Sequence, residues 1–97
     1  MDLIKVIKER IYNSINVIDV DLIDESRSHA SHYSTTVLPS HIQLMIVSDD
    51  FIGMNSIKRH RLIYKLLENE IKLLHAVSLC LYTKDEYNQP ETEIFIS

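Results

Sequence analysis

Apolar positions recur at helical spacing from Asp2 to about Asn13. Leu3, Ile4, Ile7 and Ile11 form one stripe, with Lys5, Lys8, Glu9 and Arg10 away from it, which predicts an amphipathic helix. The period then changes to two. In "INVIDVDLIDE", Ile18, Val20 and Leu22 alternate with Asp19 and Asp21, the pattern of a strand with one wet face and hence of an edge strand. "HIQLMIVSDDF" predicts a second strand, apolar on both faces through Ile42, Leu44 and Ile46 and through Met45 and Val47; burial on both faces places it centrally in a sheet. A turn follows around Gly53, where Asn55 or Ser56 can cap a short helical segment. A longer helix is expected from about Arg59 to Lys72, with Ile63, Leu66, Leu67, Ile71 and Leu74 as its buried stripe. "AVSLCLYT" reads as a third strand, and Thr83 to Glu86 offers a capping box for a short last helix.

The predicted order is α-β-β-(α)α-β-(α), an α+β fold. Strands two and three are joined through a helix, so a right-handed crossover makes them parallel, with strand one antiparallel beside strand two. The result is a three-stranded mixed sheet with helices on one face. Between about Ser26 and Ser40, "SRSHASHYSTTVLPS" has no sustained period. Connections this long inside a compact domain are usually functional or mobile. The tail at 89–97 carries no assignment.

With 97 residues and 45% hydrophobic content, the chain supports one domain, 1–97, around one core. The single cysteine, Cys80, rules out an internal disulfide framework and any four-thiolate zinc or iron–sulfur site within one chain, and it suits a reducing compartment. No run approaches a membrane span, and "MDLIKVIKERIY" is charged where a signal peptide is apolar. A cytoplasmic protein is expected. The formal charge of -4 argues against bulk attraction to nucleic acid, and a lone glycine excludes a Gly-rich phosphate cradle.

Positive charge is nevertheless concentrated in Lys58, Arg59, Arg61 and Lys65. "IGMNSIKRHRLIYKLL" has the outline of short helix, turn and longer helix, that of a helix-turn-helix. Its cations either contact phosphate or form a solvated helix start. His60 shares a face with Ile63, Leu67 and Ile71 and is read as a packed, hydrogen-bonded residue. His75 lies at a helix-to-strand junction, where rigid elements can hold an imidazole near the surface. His29, His32 and His41 match no zinc spacing. Cys80, between Leu79 and Leu81, is read as a buried, unreactive thiol, and Asp49 and Asp50 as turn residues. No nucleophile and base arrangement is legible, so no catalysis is expected.

The segments "DESRSHA", "VSDDFIGMNSIKRHRLIY" and "LHAVSLCLYTKDEY" resemble the BolA-like family from about Asp24 to Tyr87. The specific part is Phe51, Gly53, Arg59, His60, Arg61 and Tyr64, a Phe-x-Gly turn followed by Arg-His-Arg and an aromatic. The resemblance implies a fold related to class II KH domains and two roles. One is a partner of monothiol glutaredoxins that shares a bridging [2Fe–2S] cluster. The other is a DNA-binding regulator of transcription and cell shape under stress. In cluster-binding members the ligands are the histidine of the "HA" motif and a His or Cys in the loop after the first strand. Those positions match His75 and, through "RSHA", His29, with His32 and His41 as substitutes. Lys58, Arg59, Arg61 and Lys65 would then line a partner or nucleic-acid surface, and Gly53, His60 and Tyr64 would be structural. A chain with one thiol cannot hold such a cluster alone, so none is expected on the isolated protein. Its imidazoles can complete a site whose thiolates come from a glutaredoxin and glutathione, and imidazole ligation raises the cluster potential. The Gly-x-x-Gly loop by which KH domains clamp RNA is reduced here to "GMNS", which disfavours RNA.

Overall fold

The computed structural model describes residues 2–25 and 41–88. The segment at 26–40 and the tail at 89–97, including His29 and His32, lie outside them. Helix α1 runs Leu3–Ser14. Its start is set by Asp2, whose carboxylate accepts from the Lys5 amide at 3.1 Å. Leu3, Ile7 and Ile11 of the predicted stripe are its buried residues, while Ile4 is half-buried. Strand β1, Asp19–Asp24, pairs antiparallel with β2, His41–Val47. β2 pairs parallel with β3, Ala76–Tyr82. The order β1-β2-β3 makes β2 central and β1 an edge, as the two hydrophobic periods require.

Between β2 and β3 come a 3-10 turn at Asp49–Phe51, helix α2 at Ser56–Leu66 and helix α3 at Glu68–Ile71. After β3, Thr83 and Glu86 form the predicted capping box at the head of α4, Lys84–Tyr87. Ile42, Leu44 and Ile46 face the helices and meet Leu3, Ile7, Ile11, Phe51, Ile63, Leu67 and Leu81 in one core, with Val20, Leu22, Val77 and Leu79 packed at its margin. Among the described residues no helix is packed over the opposite face of the sheet. Alternation puts Ile23, Gln43, Met45, Cys80 and Tyr82 there, around a shallow groove of about 260 Å³ that Asp21 and Tyr87 also line. Cys80 is thus half-buried on an open face rather than buried in the core. Ile18 lies outside β1 and is 50% exposed.

Two expectations about the middle of the chain need correction. The second strand stops at Val47, not Phe51. The buried Ser48 hydroxyl donates to the Asn16 carbonyl at 2.6 Å and accepts from the Asp50 amide at 3.0 Å, so side-chain bonding replaces the ladder and starts a turn. Asp49 and Asp50 act within that turn, accepting from the Lys84 amide at 3.1 Å and the Asn16 amide at 2.9 Å. The short helix expected after Gly53 does not form either. Asn55 caps α2 itself, accepting from the Lys58 amide at 2.9 Å, so helix begins at Ser56 and the helix-turn-helix outline is lost. The long helix also divides at Leu67, where ψ is 20°. That change of direction lets the buried Glu70 on α3 pair with Arg10 on α1 at 2.9 Å.

Gly53 has φ 86°, a conformation that costs an L-residue about 1–2 kcal/mol. A Cβ there would meet nothing within 4 Å, so the cost is backbone strain without a clash. Gly53→Ala should lower stability by about 1 kcal/mol, read as a reduced urea midpoint at unchanged slope.

Candidate functional site

Parallel strands begin at the same end of a sheet, and this brings together two histidines that are 34 positions apart in the chain. In the β2–β3 register His41 stands opposite Ala76, so His75, one residue earlier, lies diagonally beside it. Their ring centroids are 5.2 Å apart and the rings meet edge to face at 88°. His75 is exposed and His41 half-buried. Of the substitutes for the expected loop ligand, His41 is therefore the one placed next to His75, whereas His29 and His32 fall outside the described residues. Cys80 is four positions further along β3 than Ala76, roughly 13 Å away along the strand. Its sulfur belongs to another part of the face. Among the described residues no group of three or more His, Cys, Asp or Glu side chains is arranged to hold a metal. The pair is a contact between two imidazole rings.

A groove of about 310 Å³ adjoins the pair, lined by Tyr64, Ile71, Leu74, His75, Ala76 and Val77. Tyr64, expected as a structural residue, is 41% exposed and forms a wall of this groove. The site thus combines two neighbouring imidazoles with a groove of mixed polarity.

The basic segment separates into two kinds of residue. Lys58, Arg61 and Lys65 are exposed on α2. Arg59 is not available to a partner: its side chain is only 12% exposed and turns inward. Its Nε donates to the Met54 carbonyl at 3.0 Å and its Nη1 to the Leu81 carbonyl at 3.2 Å. Nη1 and Nη2 also hold the two Glu86 oxygens at 2.6 and 3.1 Å, a bidentate pair, while the guanidinium lies 5.7 Å from the Phe51 ring centre. Arg59 ties α2, the 51–54 turn, β3 and α4 together. The expectation that it lines a binding surface is corrected on that ground. His60 is held as expected, its Nδ1 2.8 Å from the Ser56 carbonyl oxygen. The capping box was the one sequence signal pointing at Glu86; nothing local linked it to Arg59, 27 positions away.

The hydrogen bonds from Arg59, followed by that from the Thr83 amide, bring the Glu86 carboxyl down from its ordinary 4.5 to about 2. A carboxyl whose folded value is depressed contributes stability above its unfolded value and loses it as pH falls through the folded one. The contribution is present above about 4.5 and disappears toward about 2. Glu86→Gln should flatten the acid limb of the stability curve across that window in urea titrations; an unaltered limb would show that the pair adds nothing measurable. Arg59→Met, which strands the Leu81 and Met54 carbonyls, should cost roughly 1–3 kcal/mol while leaving the exposed cations in place.

A family profile described as "BolA-like protein" matches residues 11–86. The chain is 37% identical over 86 residues to "SufE-like protein 1, chloroplastic/mitochondrial" of Arabidopsis thaliana, covering 82% of this chain and 23% of that protein. It is 30% identical over 92 residues to "DNA-binding transcriptional regulator BolA" of Escherichia coli strain K12, covering 94% of this chain and 85% of that one. Among solved structures, BolA1 from Arabidopsis thaliana superposes with a TM-score of 0.75 at 32% identity, over 89% of this chain and 96% of that one. Its small α+β fold with a mixed three-stranded sheet is shared. No helix among the described residues is long and apolar enough to cross a membrane.

Proposed function

Because the chain belongs to the BolA-like family, we propose that it is a non-enzymatic partner of a monothiol glutaredoxin, contributing histidine ligands to a shared [2Fe–2S] cluster in iron–sulfur trafficking or iron and redox regulation. The observation that carries this reading is the exposed His75 at the sheet end with a second imidazole, His41, beside it. The donor set fits half a cluster site and no more. Two imidazoles within one chain, with the only thiol elsewhere on the sheet, require thiolates from outside, as a glutaredoxin with glutathione would supply. His75 is the first ligand. His29 is the expected second by family resemblance, and His41 is its substitute within the sheet. The register of β2 and β3 brings the backbone of His41 close to that of His75. When bound, the cluster would supply one-electron or transfer chemistry; this chain would position ligands beside the groove lined by Tyr64 and Leu74.

In a mixture with a cluster-loaded monothiol glutaredoxin and glutathione, visible circular dichroism should change on adding this protein, and His75→Ala should abolish the change. A wild-type spectrum with His75→Ala would remove that residue as a ligand.

A second reading, DNA binding, draws on the name of the Escherichia coli relative and on the outward Lys58, Arg61 and Lys65. It no longer draws on Arg59 or on a helix-turn-helix. If these three cations contact phosphates, each change to Glu should weaken binding to a duplex in anisotropy titrations and reduce the salt slope by about 1. A slope indifferent to all three would discard DNA as a ligand of this face.

A further inference from the structure

We infer that this chain associates with copies of itself, the outer side of α2 on one copy seating on the sheet face that no described helix covers on the next. The two surfaces are complementary. Alternation carries Asp19, Asp21 and Ile23 of β1 to the side away from the helices, in register with Met45 of β2 and Tyr82 of β3. The three strands contain no lysine or arginine. Both aspartates are exposed, as are Ile23 at 48% and the neighbouring Tyr87 at 43%. The face is apolar with an acidic border. The outer side of α2 has the opposite charge. Ile57, Arg61 and Tyr64 recur there at helical spacing, away from the buried Ile63 and flanked by Lys58 and Lys65. Ile57 is 60% and Tyr64 41% exposed, and among the described residues no other helix carries two exposed large apolar side chains. No acidic residue occurs in Ser56–Leu66.

Size and direction fit as well. An 11-residue helix is about 16 Å long and about 10 Å wide, which matches three strands roughly 10 Å across and about 20 Å long. A sheet with helices on both faces is a stable layer arrangement, and here a neighbour supplies the second layer. α2 buries Ile63 against its own sheet, so its outer side and the uncovered sheet face point in opposite directions. Two copies cannot satisfy each other reciprocally, and the contact repeats head to tail. One helix on three strands lies at or below the low end of specific interfaces, about 1,200 Å² in total. The association is therefore weak, and opposite charges make it sensitive to salt. It runs face to face and uses no strand edge.

Sedimentation velocity over rising protein concentration at low salt is the test. A reductant and a chelator are present, so that neither Cys80 nor a metal ion on the histidines links chains. The expected result is a weight-average mass that climbs past that of a dimer and falls when salt is raised. Asp21→Lys blocks the sheet face, and Ile57→Ser combined with Arg61→Ser blocks the helix face; each variant alone should stay monomeric. Their equimolar mixture retains one working face of each kind and should form a dimer and nothing larger, which also shows that both variants are folded. A wild-type protein that stays monomeric at every concentration overturns the inference, the result expected if another segment of the chain covers the sheet face. A wild-type plateau at the dimer, or association untouched by Asp21→Lys, overturns it equally. No DNA or glutaredoxin enters the experiment, so its failure leaves both readings of the function standing.

Discussion

Parallel pairing of β2 with β3 is the constraint around which the molecule is arranged. Parallel neighbours cannot be joined by a tight turn, so the chain between Val47 and Ala76 must cross the sheet, and α2 and α3 are the crossing. Those helices bury Ile63 and Leu67 against Ile42, Leu44 and Ile46. Because both strands start at one end, the same pairing also sets His41 beside His75. Core and site therefore share one cause: a register that keeps the apolar side of β2 under the helices keeps the two imidazoles together, and a slip by one residue would undo both.

Electrostatics divides the molecule along a different line. The basic segment looks uniform as a string of letters, yet the helical turn sends its members in opposite directions. Lys58, Arg61 and Lys65 remain in water, where they are screened and contribute little to stability. Arg59 is drawn onto the Phe51 ring and into the grip of Glu86, where several hydrogen bonds to backbone and carboxylate offset its desolvation. The Arg-His-Arg pattern thus joins a structural bolt, a backbone-anchored imidazole and a solvent-facing cation in three consecutive positions.

Most of the fold was legible because its elements carry clean periods: Leu3, Ile7 and Ile11 for α1, Val20 and Leu22 for β1, Ile42, Leu44 and Ile46 for β2. Parallel and antiparallel pairings followed from the lengths of the connections. The boundaries at Val47 and Leu67 were not legible, since an apolar residue recurs beyond each, Phe51 and Ile71, while the backbone departs at Ser48 through its side-chain bonds and at Leu67 through its change of direction. Distant partners were invisible for the same reason. Arg59 meets Glu86, and His41 meets His75, only after the crossover is made, and no local pattern encodes a contact formed across a whole β-α-β unit. Family resemblance put His75 forward and left His41 among the substitutes for a loop ligand; that these two rings touch required the sheet.

The position of Arg59 also bears on how the protein avoids sticking to itself. β3 is an edge strand, seven uncharged residues long, the composition from which strand-to-strand aggregation starts. The Tyr82 carbonyl accepts from Ser48 on the β2 side, so the adjacent Leu81 carbonyl points to the outer edge, where the Arg59 guanidinium occupies it. A charged group from another element thus blocks an acceptor that a foreign strand would use. The opposite edge is guarded differently, by Asp19, Asp21 and Asp24 along β1. The sheet is left with one edge armed by its own carboxylates and the other stoppered by a borrowed cation.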